Sequence, residues 1–254
     1  MRNKIISVML VGVMATALCA CGDGTPVDSS IEDKVQAVVE AEDEDTALAD
    51  DLPDSAGSYK KAYQKVVDDL SSAGDADMFA LVDVNDDDIP ELAASSSEGS
   101  WDKDQVFLYT ADAGKAVLLA SDIGPGMEGH FIAYIEKGNV FIKSGAPTGE
   151  YYTFYVIGDN QPEEFFSAGH FQMLDDNDNE VETYMIDEEE VTKDEYDSQL
   201  NDALESGEFI MLAEPESLNM VKYNVSFKDG YMALEETEEI PYLPYDEISE
   251  LLAE

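Results

Sequence analysis

The chain has 254 residues, of which 58 are Asp or Glu and 13 are Lys or Arg, giving a formal net charge of −45. A surface this acidic repels nucleic acid and anionic headgroups, which excludes both as partners. With two cysteines in all, Cys19 and Cys21, a disulfide framework and a cysteine-rich zinc site are excluded as well.

Arg2 and Lys4 precede an apolar run at 5–18 and small residues before Cys21, the order of a secretory signal. The run is too short for a permanent transmembrane helix, which takes about 20 apolar residues. Leu18-Cys19-Ala20-Cys21-Gly22 resembles the lipobox of bacterial lipoproteins. That resemblance implies cleavage after 1–20, diacylation of the Cys21 sulfur, and anchoring by lipid to the extracellular face of the bacterial cell membrane. The other reading is an ordinary signal cut at an A-x-A-like site. With Cys19 removed and Cys21 lipidated, the remainder has no free thiol, and without Arg2 and Lys4 its charge is −47.

Residues 22–57 carry twelve acids, one lysine and no aromatic ring. Such a segment repels itself and buries too little to fold, so 21–57 is read as the lipidated cysteine followed by a disordered tether. A single β-rich extracellular domain is expected over 58–254. Ser58 is a plausible N-cap for a helix whose stripe is Tyr59, Ala62, Tyr63, Val66, Val67 and Leu70, ending at Gly74. Ser58 to Lys61 matches S-x-x-K of serine acyl-enzymes, but neither partner motif occurs, and capping is the preferred reading.

Next comes FALVDVNDDDIPEL at 79–92, the stretch with the clearest chemistry. Asp83, Asn85, Asp87 and Glu91 fall at loop positions 1, 3, 5 and 9, with the Ile89 carbonyl at position 7. Alternating oxygens in this register suit calcium, which takes six to eight of them. It is not an EF-hand: it lies between strands, Asp88 replaces the glycine of position 6, and Ala94 stands where a bidentate Glu belongs at position 12. Asp88 can still hold a left-handed backbone. The competing reading is an acidic turn.

Short apolar segments separated by Gly, Asp and Asn then predict strands at 78–84, 91–95, 105–110, 116–121, 130–136, 140–143, 151–157, 163–166, 171–174 and 181–186. Turns are expected at 111–115, 137–139, 158–162 and 175–180. Thr192 and Glu195 form a capping box for a helix with Tyr196, Leu200 and Leu204 inward and Gly207 as stop. Strands near 209–213, 221–227 and 231–234 and a helix at 245–252 close the chain. The fold expected is α+β, mainly β: an antiparallel meander forming a curled sheet with two or three flanking helices. A 40-residue echo, Gly129-His130-Phe131 and Gly169-His170-Phe171, makes a partial β-propeller the alternative.

The segment at 79–92 resembles the D-x-D-x-D-G-x-P-E-L stretch of uncharacterised secreted lipoproteins of Gram-positive bacteria, with a helix before it, aromatic strands after it and a helix like Val191-Thr-Lys-Asp-Glu-Tyr later. The resemblance covers roughly 59–204. It implies a β-rich extracellular domain with a cation at Asp83, Asn85, Asp87 and Glu91, and it implies no activity.

Elsewhere, the DDNDNE run at 175–180 reads as a hairpin turn, and His130 and His170 as packed or edge histidines rather than a metal or acid–base pair. Tyr109, Tyr134, Tyr151, Tyr152, Phe154, Tyr155 and Trp101 supply either core or a platform for a cell-wall glycan or peptide. Carboxylate pairs for glycoside hydrolysis cannot be picked from 58 acids. The leading expectation is therefore a lipid-anchored, non-catalytic surface protein with calcium as candidate cofactor. An exported hydrolase of glycan or peptide and a transporter-linked substrate-binding lipoprotein are the alternatives.

Overall fold

In the computed structural model, described here for residues 55–97, 105–122, 130–146, 149–174, 179–204, 208–213 and 219–254, helix α1 spans Ser55–Ala73. It begins three residues before Ser58, which therefore lies inside the helix. Tyr63 and Val67 are fully buried, and Ala62 and Leu70 nearly so, as the stripe requires. Gly74 closes α1 at φ 69°, and the Asp75 N–H returns 2.9 Å to the Leu70 carbonyl.

The strands are β1 Met78–Val82, β2 Glu91–Ser95, β3 Val106–Asp112, β4 Lys115–Asp122, β5 Phe131–Ile135, β6 Val140–Ala146 and β7 Gly149–Gly158. They continue as β8 Gln161–Leu174, β9 Glu180–Ile186, β10 Glu189–Val191, β11 Phe209–Met211, β12 Met220–Lys228, β13 Tyr231–Ile240 and β14 Leu243–Pro244. Helix α2, Lys193–Leu204, stands between β10 and β11, and α3, Tyr245–Ala253, ends the chain.

The meander is antiparallel throughout and divides into two sheets, β14-β1-β2-β3-β4 and β10-β9-β8-β7-β6-β5-β11-β12-β13. Four of its hairpins turn on two residues that both have positive φ: Ala113-Gly114, Asp159-Asn160, Asp187-Glu188 and Asp229-Gly230. That geometry matches the right-handed twist of paired strands. Five and nine strands are not the four-stranded blades of a propeller, and the two halves of the 40-residue echo are not structurally equivalent. His170 sits inside β8 rather than ahead of a strand, because 163–166 and 171–174 belong to one strand. The small residues Ser167, Ala168 and Gly169 join them, paired on both sides by β7 and by β9 or the turn after it. The Phe171 ring lies over Gly169, where any Cβ would be 2.5 Å from it.

The layers run α1 and α3, five-stranded sheet, nine-stranded sheet, α2. Tyr63, Val67, Phe79, Leu92, Ile248 and Leu252 fill the first gap, and Val82, Leu108, Ile132, Phe141, Ile210 and Tyr242 the second. Third, the nine-stranded sheet curls around α2, which touches both β9 and β12 although five strands separate them. Thr192 and Glu195 cap α2 reciprocally: the Thr192 N–H donates to Glu195 Oε2 at 2.9 Å and the Glu195 N–H to Thr192 Oγ1 at 3.3 Å. Asn201 then holds β12 by both Phe227 backbone groups, at 2.7 and 2.9 Å. Across the mouth of the curl, Gln172 of β8 donates to the Tyr231 hydroxyl of β13 at 2.7 Å.

Tyr196 is the plug of this curl, with rings of Tyr184, His170 and Phe227 around it, and among the described residues its buried hydroxyl has no hydrogen-bond partner. Removing an unsatisfied buried hydroxyl removes its desolvation cost. Tyr196→Phe is therefore expected to leave stability unchanged or raise it by about 1 kcal/mol in urea denaturation. Tyr196→Ala leaves a cavity and should lower it by about 3–5 kcal/mol.

Candidate metal loop and a polar cleft

Between β1 and β2 the chain must turn with five charged or amide side chains, and it does so by bonding several of them to its own backbone and to one another. Asp83 Oδ1 accepts the Asp86 N–H at 2.9 Å, and Asp87 Oδ1 accepts the Ile89 N–H at 2.8 Å. The Asn85 amide donates to Asp87 Oδ2 at 3.0 Å. Asp86 and Asp88 are left-handed, with φ 59° and 67°, so Asp88 takes the backbone that a calcium loop asks of position 6.

The base of the loop is fixed to the β5–β6 turn. The Lys137 and Asn139 N–H groups donate to the carbonyls of Asp83 and Val84 at 3.0 and 2.7 Å. The ammonium of Lys137 lies 3.4 Å from Asp83 and 3.2 Å from Asp86. Asp86 first and Asp83 second hold that ammonium above its usual pKa.

Glu91 is placed differently from its expected companions. It is fully buried, with Oε2 accepting the Val84 N–H at 2.9 Å and Oε1 the Thr110 hydroxyl at 3.3 Å. Burial pushes its carboxyl up to about 7, with the Asp87 charge adding to the shift while the Val84 N–H opposes it. The fully buried Tyr63 hydroxyl, which has no hydrogen-bond partner among the described residues, is raised by burial and then by Glu91 and Asp87. So Asp83, Asn85, Asp87 and the Ile89 backbone occupy the exposed loop, while Glu91 faces the interior beneath it. Among the described residues no three His, Cys, Asp or Glu side chains gather closely enough to hold a metal ion as they stand.

Other candidates disperse. His130 and His170 lie on opposite faces of the nine-stranded sheet: His170 is buried in the curl, stacked 4.6 Å from Tyr184, while His130 is on the face of Ile132 and Tyr134, which is turned toward the five-stranded sheet. Tyr134, Tyr152 and Phe154 are core, and Tyr109 packs at the edge of the layer under α1. Cys21, Trp101, Gly207 and most of the acidic run at 175–180 lie outside the described residues.

Two of the strand aromatics, Tyr151 and Tyr155, line a cleft of about 540 Å³ where the end of β4 meets the outer face of β6 and β7. His130 Nδ1 is 3.2 Å from Asp122 Oδ1, and Lys143 Nζ is 3.8 Å from Asp122 Oδ2 while donating to the Ser121 carbonyl at 2.6 Å. Sequence reasoning missed Asp122 and Lys143. They are far apart in the chain and carry no motif; their only signal was a basic residue in a run of β-strand spacing.

No family model matches the chain, and no curated protein or solved structure matches it.

Proposed function

We propose that the chain is a lipid-anchored, non-catalytic surface module on the extracellular face of a bacterial membrane, stabilised by calcium at the loop of Asp83, Asn85, Asp87 and the Ile89 carbonyl. The observation that carries this reading is the mounting of the loop. Its base is bonded to the β5–β6 turn of the other sheet, so an ion that orders the loop would also steady the backbone bonds that tie the two sheets. A rigid sandwich carrying a structural cation is a scaffold for presenting a surface, and the acidic segment at 21–57 holds it away from the membrane. The resemblance of 79–92 to the loop of secreted lipoproteins supports the same reading, as does the signal-like start ending at Cys21.

Calorimetric titration of the purified chain should give one calcium per molecule, lost in Asp83→Ala. Saturation at zero sites disproves the metal half of the proposal. The anchor half is tested separately by metabolic labelling with radioactive palmitate: label should enter the wild-type chain and Cys19→Ala, and should vanish in Cys21→Ala with the protein leaving the membrane fraction. Label persisting in Cys21→Ala removes the anchor.

A further inference from the structure

The geometry points to the cleft of Asp122, His130, Lys143, Tyr151 and Tyr155 as a binding site for an uncharged oligosaccharide. This inference deepens the reading of the chain as a surface-binding module and does not depend on the calcium loop.

The cleft is held in place rather than incidental. The side chain of Asp122 is only 10% exposed, and it lies between the two groups able to donate, His130 and Lys143. Gly145 has φ +145°, and a Cβ there would collide with the His130 ring, so the imidazole rests directly on the backbone of β6 and is fixed from below. Thr153, Tyr151 and Tyr155 point to the same side of β7, since alternate residues of a strand share a face. The outer two are about 13 Å apart by strand rise, which suits a short chain of sugar rings better than a single one. Each tyrosine is backed by a second ring, Tyr151 by Phe171 at 6.4 Å and Tyr155 by Phe141 at 5.0 Å, which sets its orientation before any ligand arrives.

Sugar rings present apolar C–H faces and hydroxyls that both donate and accept. Ring platforms match the faces. A carboxylate acceptor, an ammonium donor, an imidazole and a hydroxyl, all within one cleft of ordinary ligand-site size, match the hydroxyls. The charge of −45 on the whole chain repels anionic glycans, which is why the uncharged class is assigned. An extended peptide would bind by adding to the open edge of β4, and Lys143 already occupies the Ser121 carbonyl on that strand.

The test is calorimetry of the full-length chain with cellotriose, maltotriose and N-acetylchitotriose, and with trigalacturonate as the anionic arm. Saturable binding of at least one neutral trisaccharide is expected, weakened about tenfold or more in Tyr151→Ala and in Asp122→Asn at unchanged circular dichroism. Tyr151→Phe, which keeps the platform, should bind within a few fold of wild type. Asp87→Ala should bind normally, so failure of the metal loop and failure of the cleft are separable. No saturation by any neutral trisaccharide, tighter binding of trigalacturonate, or affinity indifferent to both cleft substitutions each overturns the assignment.

Discussion

Millimolar calcium should raise the melting temperature of the chain by about 5–10 °C over chelator at fixed ionic strength. The gain expected from a ligand held a hundredfold above its dissociation constant is about 2.7 kcal/mol. In the loop the side chains of Asp83 and Asp87 are already turned by bonds to the Asp86 and Ile89 N–H groups, and Lys137 supplies only partial compensation from an exposed position. A divalent ion would take over that neutralisation at the point where the two sheets are tied. Asp83→Ala and Asp87→Ala should abolish the shift, while Asp176→Ala in the second acidic run should leave it. Screening of a strongly acidic chain is the rival explanation, and it predicts that magnesium or added salt acts like calcium. Equal melting temperatures in calcium and chelator reduce the loop to an acidic turn.

The second large effect concerns Glu91. Its carboxyl stands at about 7 in the folded chain against an ordinary value of 4.5. The folded state therefore holds the extra proton between those limits, and stability falls as pH rises through them, by about 1.4 kcal/mol per pH unit. Above pH 7 the accumulated loss is about 3 kcal/mol. In chelator, Glu91→Gln should match wild type near pH 4 and exceed it by about 2–3 kcal/mol at pH 8 in urea denaturation. The amide can still accept the Val84 N–H and can donate to the Thr110 hydroxyl, so no buried group is stranded. The same pair of proteins decides whether Glu91 is a calcium ligand. If it turns outward to the ion, the ranking reverses in saturating calcium, with Glu91→Gln the less stable. If it stays inside, the ranking is the same with and without calcium.

What the sequence disclosed depended on the range of the interactions involved. Local signals were read well: the Thr192–Glu195 box, the apolar stripe of α1, the hairpin turns at Gly114 and Asn160, and the left-handed Asp88. The turn at Asp187-Glu188 was not read, because a left-handed glutamate carries none of the residues that announce a tight turn. The predicted strands stopped at 166 and resumed at 171, whereas Ser167-Ala168-Gly169 continue β8 and let the aromatic side chains of neighbouring positions close over the sheet. Division of the meander into two sheets was illegible, since alternation along a strand is the same whichever sheet it joins. For the site, spacing put Asp83, Asn85 and Asp87 in one loop, but it could not show that Glu91 turns inward to Thr110, nor that Asp122, His130 and Lys143 meet.

The first sheet is finished by the last residues of the chain. Strand β14 pairs with β1, and α3 lies beside α1, where Gln64 bonds to Ser249 at a separation of 185 residues and Tyr245 bonds to Asp68. Phe79 and Tyr63 therefore remain without their full cover until β14 and α3 have docked. Contacts this distant are reached late, because the loop they close must be ordered first. The first sheet is thereby clasped by its most distant partners, so β1, α1, β14 and α3 are secured as a set and opening any one of them uncovers the same core.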